Sequence, residues 1–235
     1  MDDVDDWIYS PPTDPLEILH KDADLIVVNK PSGLLSVPGR RPEHRDSVFS
    51  RLEQTVDELW IAHRLDMDTS GVMLYPRTKA AERELHRQFR ERAVKKTYLA
   101  RVSGHIAQDE GVIDLPLLRL KVRPPRTIVS EEDGKPSTTG YKVLSRRSDE
   151  TTLVALYPIT GRSHQLRVHL LELGHPILGD RFYAPPAEMD RASRLLLHAA
   201  TIEFAHPRSG EKMRSDAPPP MELEGGAMRR VHSSG

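Results

Sequence analysis

The sequence predicts an α+β fold in one domain, and three observations support this. Short apolar or alternating runs typical of strands recur, at 25–29, 72–75, 96–102, 140–145 and 151–157. Apolar residues at helical spacing occur in three other segments, at 46–59, 78–92 and 163–173. The 235 residues contain no Gly/Ser-rich linker and are enough for one sizeable core.

The two ends of the chain differ from its middle. Residues 1–14 contain Pro11-Pro12 and few apolar side chains, so we expect an acidic, loosely held N-terminal tail. Apolar periodicity is lost again beyond Pro218-Pro219-Pro220. We therefore predict a single domain over residues 15–220 and a mobile C-terminal tail over 221–235.

The first elements follow from short apolar runs. Leu25–Asn29 is typical of a buried strand, and Lys30-Pro31-Ser32-Gly33 after it is interpreted as a turn. Residues 46–59 have a helical apolar stripe and predict a helix that faces the core. The apolar run 72–75 predicts a further strand, and Pro76 is expected at the end or edge of that strand.

A helix is predicted from Thr78, as N-cap, to Arg92. Ala81, Leu85 and Phe89 form its buried stripe. Its other side carries three cations at i, i+4 and i+7: Arg83, Arg87 and Arg90. They could contact phosphates of a nucleic acid or simply face water, and the sequence leaves both possibilities open.

The second half of the chain is richer in strands. Residues 96–102 alternate, which places Tyr98 on the apolar side. The segments 140–145 and 151–157 predict a hairpin, and 111–118 a further strand. Residues 163–173 predict a helix that ends at Gly174, with Arg167 one position past its apolar stripe. A long cation there can point back toward a pocket.

Composition excludes several classes of protein. There are no cysteines, which excludes disulfides, thiolate catalysis and cysteine-ligated zinc. With 37% hydrophobic and 29% charged residues the chain looks globular and soluble, and no apolar run approaches the ~20 residues of a membrane helix. Residues 1–6 are acidic where a secretory leader would be basic. We therefore expect a cytoplasmic protein.

The charge distribution is more informative than the formal net charge of −1. Eight acids against Lys21 lie within residues 1–24, whereas nine bases against three acids lie within 77–101. A second stretch contains Arg119, Lys121, Arg123 and Arg126 with no acid among them. This pattern permits nucleic-acid binding, although a charged stretch is more often a solvated face.

Residues 63–71, His-Arg-Leu-Asp-Met-Asp-Thr-Ser-Gly, are the strongest motif, and we call them the signature segment. They place Asp66 between Arg64 and an apolar strand. On local chemistry alone, an aspartate that bonds nearby backbone in a turn is the favoured interpretation.

The signature segment resembles the H-R-L-D-x-x-T-S-G motif of the RluA-type RNA pseudouridine synthases, and further blocks resemble that family in the same order. They are Lys30-Pro31-Ser32-Gly33-Leu34, Lys96-Thr97-Tyr98, residues 161–169, Gly179-Asp180 and Leu196-Leu197-His198-Ala199. Residues 34–40 are similar to the subgroup without an N-terminal S4 domain, which has dual specificity for 23S rRNA and tRNA. Together with the strand-rich pattern, this resemblance implies the pseudouridine synthase fold, α+β with a mixed, largely antiparallel central sheet bent around a cleft and helices outside.

The resemblance implies an isomerase that converts uridine to pseudouridine in structured RNA. It makes Asp66 the nucleophile, attacking either C6 of uracil or C1′ of ribose. Arg167 would keep Asp66 ionised, and Tyr98 would stack on the flipped base and move a proton. His63 and Arg64 would contact the RNA backbone or fill the vacated stack. We group these two with Arg83, Arg87, Arg90, Arg162 and His164 as candidate RNA-binding residues.

The reaction changes neither oxidation state nor composition, so we expect no cofactor and no metal. His164 and His169 are five residues apart and do not stack on one helix face, which argues against a zinc pair. Motifs for nucleotide cofactors and serine hydrolases are absent from the sequence.

Besides RNA, no obligate partner is evident, and we expect a monomer. The subgroup's substrates are uridines in a tRNA anticodon stem-loop and in a hairpin of large-subunit rRNA. The main alternative is a catalytically idle RNA-binding module on the same fold. A hydrolase that uses Asp66 with His63 is a remoter third.

Overall fold

The computed structural model describes residues 8–122 and 124–224. Eleven strands lie in this part of the chain: β1 (Glu17–Lys21), β2 (Leu25–Lys30), β3 (Ser70–Pro76), β4 (Lys95–Ser103), β5 (Glu110–Asp114), β6 (Leu117–Arg119), β7 (Thr127–Val129), β8 (Thr138–Arg147), β9 (Thr151–Pro158), β10 (Leu197–Ala205) and β11 (Lys212–Asp216). The helices are α1 (Val48–Glu53), α2 (Lys79–Arg90), α3 (Gln165–Glu172), α4 (Pro186–Met189) and α5 (Met221–Glu224), with a 3-10 turn at Pro42–His44. None of these helices is long and apolar enough to cross a bilayer.

Nine strands form one mixed sheet in the order β1-β2-β3-β10-β4-β9-β8-β5, and β11 pairs with the second half of β10. Every pairing is antiparallel except that between β3 and β10. The strands β6 and β7 form a separate two-stranded sheet. The predicted α+β class with a mixed, largely antiparallel sheet is therefore confirmed.

The parallel pairing requires a close approach of two backbones. Gly71 lies opposite Ala199, and an added Cβ on Gly71 would lie 2.2 Å from the Ala199 carbonyl oxygen. Its φ of +114° also disfavours any other residue. Glycine at the end of the signature segment is thus what allows β10 to enter the sheet beside β3.

Alternation along β2 and β3 places the helices on opposite faces of the sheet. Val27 and Leu74 share a cluster with Leu85 of α2, whereas their neighbours Val28 and Met73 pack with α1. Tyr98 of β4 belongs to the α1 side and also contacts the cluster that α3 covers. A cleft of about 440 Å³ is lined by residues 35–37, which precede α1, by the signature segment and by the start of α3, and Tyr98 is also among its lining residues.

Several predicted elements are confirmed. Thr78 caps α2 by accepting a hydrogen bond from the Ala81 N–H at 3.1 Å. The strands β8 and β9 form the predicted hairpin, and β3 ends at Pro76 as expected. Gly174, with φ +87°, follows the end of α3.

Other boundaries differ from the prediction. The helix predicted over 46–59 is only α1, because Thr55 turns back to the Leu52 carbonyl, while Val56 and Leu59 pack against the same cluster from irregular backbone. The strand predicted at 111–118 is two strands, β5 and β6, separated at Leu115-Pro116.

The part of the chain that packs in the structure extends beyond the predicted domain, residues 15–220, at both ends. Residues 1–7 and 225–235 lie outside the described residues. The Tyr9 hydroxyl donates to the Asp46 carbonyl, and Arg51 donates to the Pro12 carbonyl, so the segment just before residue 15 contacts the domain. At the other end, Leu223 of α5 is fully buried in the main core cluster. The packed chain thus extends at least three residues past position 220.

Candidate active site

The signature segment leads into β3 and lies against the connection between β2 and α1. The Lys30 Nζ donates to the carbonyls of Pro31 (2.8 Å), Leu34 (2.7 Å) and Met67 (2.8 Å). Ser36 Oγ donates to the Leu65 carbonyl at 2.7 Å. The backbone is therefore held on both sides of Asp66.

The sequence predicts a turn at Lys30-Pro31-Ser32-Gly33, and the structure has the turn at Ser32-Gly33 with Lys30 as the last residue of β2. Lys30 is fully buried. Burial lowers its pKa to about 7, although the charges of Asp68 and Asp66 oppose the shift. Three carbonyl acceptors match the three N–H donors of an ammonium group. Lys30 therefore holds the signature segment, through the Met67 carbonyl, against the connection between β2 and α1. The available signal was a lysine at the end of a strand whose first four residues are buried and apolar.

Asp66 faces two nitrogen donors, one on each carboxylate oxygen. Arg167 Nη1 lies 3.4 Å from Oδ2, and His164 Nε2 lies 4.0 Å from Oδ1. The Asp66 side chain is 28% exposed and lines the cleft. A carboxylate that is both charge-compensated and open to a ligand can act as a nucleophile.

Arg167 is 2% exposed, and Asp180 compensates its buried charge. The guanidinium also lies 5.1 Å from the ring centres of Phe182 and Tyr183. Burial by itself would lower the pKa of Arg167, but its hydrogen bonds to Asp180 and the negative charges of Asp180 and Asp66 together outweigh this, so its pKa is raised and it stays charged. Asp180 lies in one of the blocks that resemble the family, but its sequence context is that of a turn residue, and its contact with Arg167 was not predicted.

Tyr98 lines the same cleft from β4. Burial, and then the negative charge of Asp66, raise the pKa of its hydroxyl above the usual value for tyrosine. Tyr98 therefore keeps its proton at neutral pH. The three predicted catalytic residues, from β4, α3 and the signature segment, all line one cavity.

His63 and Arg64 line the cleft as well, but they differ in exposure. His63 Nε2 accepts a hydrogen bond from the Leu74 N–H at 3.0 Å. Burial, and then Lys96, lower the pKa of His63 to about 3. His63 is therefore neutral and has only Nδ1–H to offer a ligand, whereas Arg64 is exposed.

Arg162 and His164 also line the cleft, and both come just before α3 begins at Gln165. Arg162 is exposed, and its backbone N–H donates to Gln165 Oε1 at 3.0 Å. His164 is mostly buried and contacts Tyr183 through Nδ1 at 2.6 Å. Of these two residues, only Arg162 presents a solvated cation.

The three cations of α2 are all exposed, but their surroundings differ. Arg87 forms ion pairs with both Glu84 and Glu91. For Arg83 and Arg90, no carboxylate partner occurs among residues 8–122 and 124–224. The local acids therefore already neutralise the middle member of the predicted trio.

The histidine and aspartate side chains that are the best candidates for metal ligands already bond other groups of the protein. His169 is buried and bonds Thr139 Oγ1 and the Leu115 carbonyl, so it is not available to pair with His164. In the described part of the chain, the only group of three close enough to share an ion is Asp22, Asp24 and His206. Histidines already bond Asp22, and Arg208 bonds Asp24, so internal partners occupy this cluster.

The fold and this cleft define a family of RNA-modifying isomerases. Residues 24–172 match the family model for RNA pseudouridylate synthase, and the chain belongs to that family and is an RNA pseudouridine synthase. It is 56% identical over 211 residues to the dual-specificity RNA pseudouridine synthase RluA of Escherichia coli strain K12, covering 89% of this chain and 96% of that one. The protein of the same description from Pasteurella multocida is 53% identical over 212 residues, covering 90% and 97%.

A solved structure agrees with the family assignment. The human RNA pseudouridylate synthase domain containing 1 is 32% identical and superposes with a TM-score of 0.74, over 89% of this chain and 86% of that chain. The human RNA pseudouridylate synthase domain containing 4 is 27% identical to this chain and superposes with a TM-score of 0.71.

Proposed function

We propose that this enzyme isomerises uridines in two kinds of structured RNA loop, a hairpin of 23S rRNA and the anticodon stem-loop of tRNA, with Asp66 as its nucleophile. The observation that carries the proposal is the position of Asp66, partly exposed in the cleft, facing Arg167 and sharing the cavity with Tyr98. The dual-specificity description of relatives that match over nearly their whole length supports the choice of RNA.

The chemistry needs few groups. The N1–C1′ bond breaks, the uracil turns, C5 joins C1′, and the proton lost from C5 is balanced by one gained at N1. Asp66 attacks either C6 of uracil or C1′ of ribose, and the bond to Asp66 breaks again before the pseudouridine is released, which regenerates the carboxylate; Arg167 balances its charge. The cleft volume of about 440 Å³ falls within the ~300–1,000 Å³ of small-ligand sites, which suits one flipped nucleotide.

Tyr98 has two roles in this proposal. Its ring forms part of the cleft wall, so it can stack on the detached uracil and keep it from escaping. Its raised hydroxyl pKa means that it acts as a protonated phenol, which can pass a proton on but does not start as a phenolate base.

RNA would contact the exposed cations around the cleft. Arg64 and Arg162 are both exposed and line the same cavity as Asp66, where they can hold the phosphates that flank the flipped nucleotide. Arg83 and Arg90 of α2 would add weaker contacts farther along the RNA. His63 would contribute ring contact rather than charge. We further propose that the enzyme is a monomer and that it acts in the cytoplasm, where its RNA substrates are made.

Two measurements test this function. Pseudouridine should be mapped in total RNA from cells with and without the protein, and we expect loss of sites in both RNA classes. In parallel, Asp66→Asn should fold and bind RNA but form no pseudouridine, because the amide is isosteric but not nucleophilic. Asp68→Asn is the matched control, since the Asp68 side chain pairs with Arg181 and should tolerate the change. Substantial turnover by Asp66→Asn would overturn the mechanism, and an inactive wild type would favour the idle binding module.

A further inference from the structure

We propose that His164 is a positioning residue for Asp66: its Nε2–H group holds Oδ1 of the carboxylate while Arg167 holds Oδ2. This inference rests on the proposed function of Asp66. It departs from the RNA-binding role expected for His164 from the sequence. The two donors come from one short stretch at the start of α3, three residues apart.

The hydrogen-bond polarity around Tyr183 determines which nitrogen of His164 carries the proton. The Thr127 N–H donates to the Tyr183 hydroxyl oxygen at 2.9 Å. The hydroxyl hydrogen then needs an acceptor. His164 Nδ1 lies 2.6 Å from the hydroxyl and can accept that hydrogen. In the tautomer that we propose, His164 Nδ1 is this acceptor and Nε2 carries the hydrogen.

The Nε2–H group faces Asp66 Oδ1. The separation of 4.0 Å is longer than a hydrogen bond, but catalytic hydrogen bonds are often long before substrate binds. The Asp66 side chain is partly exposed, so a small rotation toward His164 needs no repacking of the core. When an RNA nucleotide fills the cleft, both carboxylate oxygens would then be held.

His164 acts as a neutral donor. Burial lowers its pKa; the negative charges of Asp66 and Asp180 oppose this shift, and the cations Arg167 and Arg119 reinforce it. The ring stacks on Phe182 with centres 5.8 Å apart and an interplanar angle of 13°. A neutral imidazole can orient Asp66 without adding a second cation beside Arg167.

The backbone at His164 supports a role for its side chain. Its φ of 55° and ψ of 16° lie in the left-handed region, which glycine or asparagine adopts more readily than histidine. If position 164 were needed only for the turn into α3, glycine or asparagine would adopt the required backbone conformation more readily. Histidine at this position therefore indicates that the imidazole itself is needed.

Three substitutions separate the possible roles. Glutamine can place its amide nitrogen near the position of Nε2, asparagine suits the backbone but is too short, and alanine removes the donor. With the RNA that wild type modifies, His164→Ala and His164→Asn should lower the single-turnover rate at saturating RNA by about 10- to 100-fold, while the RNA Kd changes little. His164→Gln should recover most of the rate. Thermal unfolding of each variant checks that it is folded.

Different outcomes would overturn the proposal. A weaker RNA Kd with an unchanged saturated rate would make His164 an RNA contact. An asparagine variant as fast as wild type would reduce His164 to a backbone role. If His164→Ala does not fold, Tyr183→Phe gives the same test, because it removes the donor to Nδ1 and should lower the rate without changing Kd. Failure of the proposed function would look different, since wild-type protein itself would then form no pseudouridine.

Discussion

Asp180 holds Arg167 through both of its carboxylate oxygens, with Oδ2 2.7 Å from Nε and Oδ1 2.6 Å from Nη2. Both side chains are buried, at 1% and 2% exposure. Two backbone N–H groups, of Phe182 and Tyr183, also donate to Asp180 Oδ1. Only Nη1 of the guanidinium is left to face Asp66, so Asp180 determines where the cation points.

Asp180→Asn should destabilise the protein and slow the reaction. It leaves a buried cation without its counter-charge, which typically costs about 3–5 kcal/mol. Urea unfolding would measure the free energy of unfolding, and single-turnover assays the rate. Asp180→Asn combined with Arg167→Met should regain part of the stability but none of the activity. Unchanged stability in the single variant would contradict the importance of this pair.

Tyr98→Phe and Tyr98→Ala should separate stacking from proton transfer. Phenylalanine keeps the ring, so RNA should bind normally, whereas alanine should lose about 1–3 kcal/mol of base contact. If the hydroxyl carries a proton, Tyr98→Phe should stall after the glycosidic bond is cleaved, as detected by chromatography of the RNA. Wild-type turnover by Tyr98→Phe would leave Tyr98 as a platform only. An alanine variant that is folded and fully active would remove Tyr98 from the site.

The cations of α2 should contribute unequally to RNA binding. Arg83→Gln and Arg90→Gln should each weaken binding and reduce the slope of log K against log salt by about 0.7–0.9 for each phosphate that the variant no longer neutralises. Arg87→Gln is the matched control on the same helix, since Glu84 and Glu91 already neutralise Arg87. Equal effects of all three substitutions would show that these local ion pairs open when RNA binds.

Stability should fall as pH decreases from about 6.5 toward 4, and His198 should be one cause. His198 is 1% exposed, and burial is the main reason that its pKa is lowered to about 4. Its folded pKa is below the unfolded value, so the unfolded chain binds the proton first, and the native state is favoured at higher pH. His198→Gln should remove up to about 1.4 kcal/mol per pH unit from this slope.

The sequence predicted elements whose cause is local. Thr78 and the Ala81–Leu85 stripe define α2 because capping and amphipathic spacing act within a few residues. β10 was not predicted as a strand, since its partners β3 and β4 are about a hundred residues away in the chain and nothing local marks a parallel pairing. The helical prediction at Val56 and Leu59 was wrong for a similar reason. Burial there comes from tertiary packing rather than from helix formation.

At the site, sequence supplied the reacting groups but not the residues that hold them. Asp66, Tyr98 and Arg167 lie in motifs that can be compared with a family. Lys30 and Asp180 also lie in blocks that resemble the family, but their roles depend on contacts made only after folding, with the Met67 carbonyl and the Arg167 guanidinium. The ion pairs that neutralise Arg87 were visible as spacings of three and four residues, yet they were not predicted.

The place of β10 between β3 and β4 has a consequence for how the enzyme is made. The strand that joins the Asp66 half of the sheet to the Tyr98 half begins only at Leu197. During translation, most of the chain must leave the ribosome before this strand can insert and bring the two halves together. Non-local pairings of this kind form slowly. A nascent or truncated chain that stops before residue 197 should therefore carry all three reacting side chains and still be inactive.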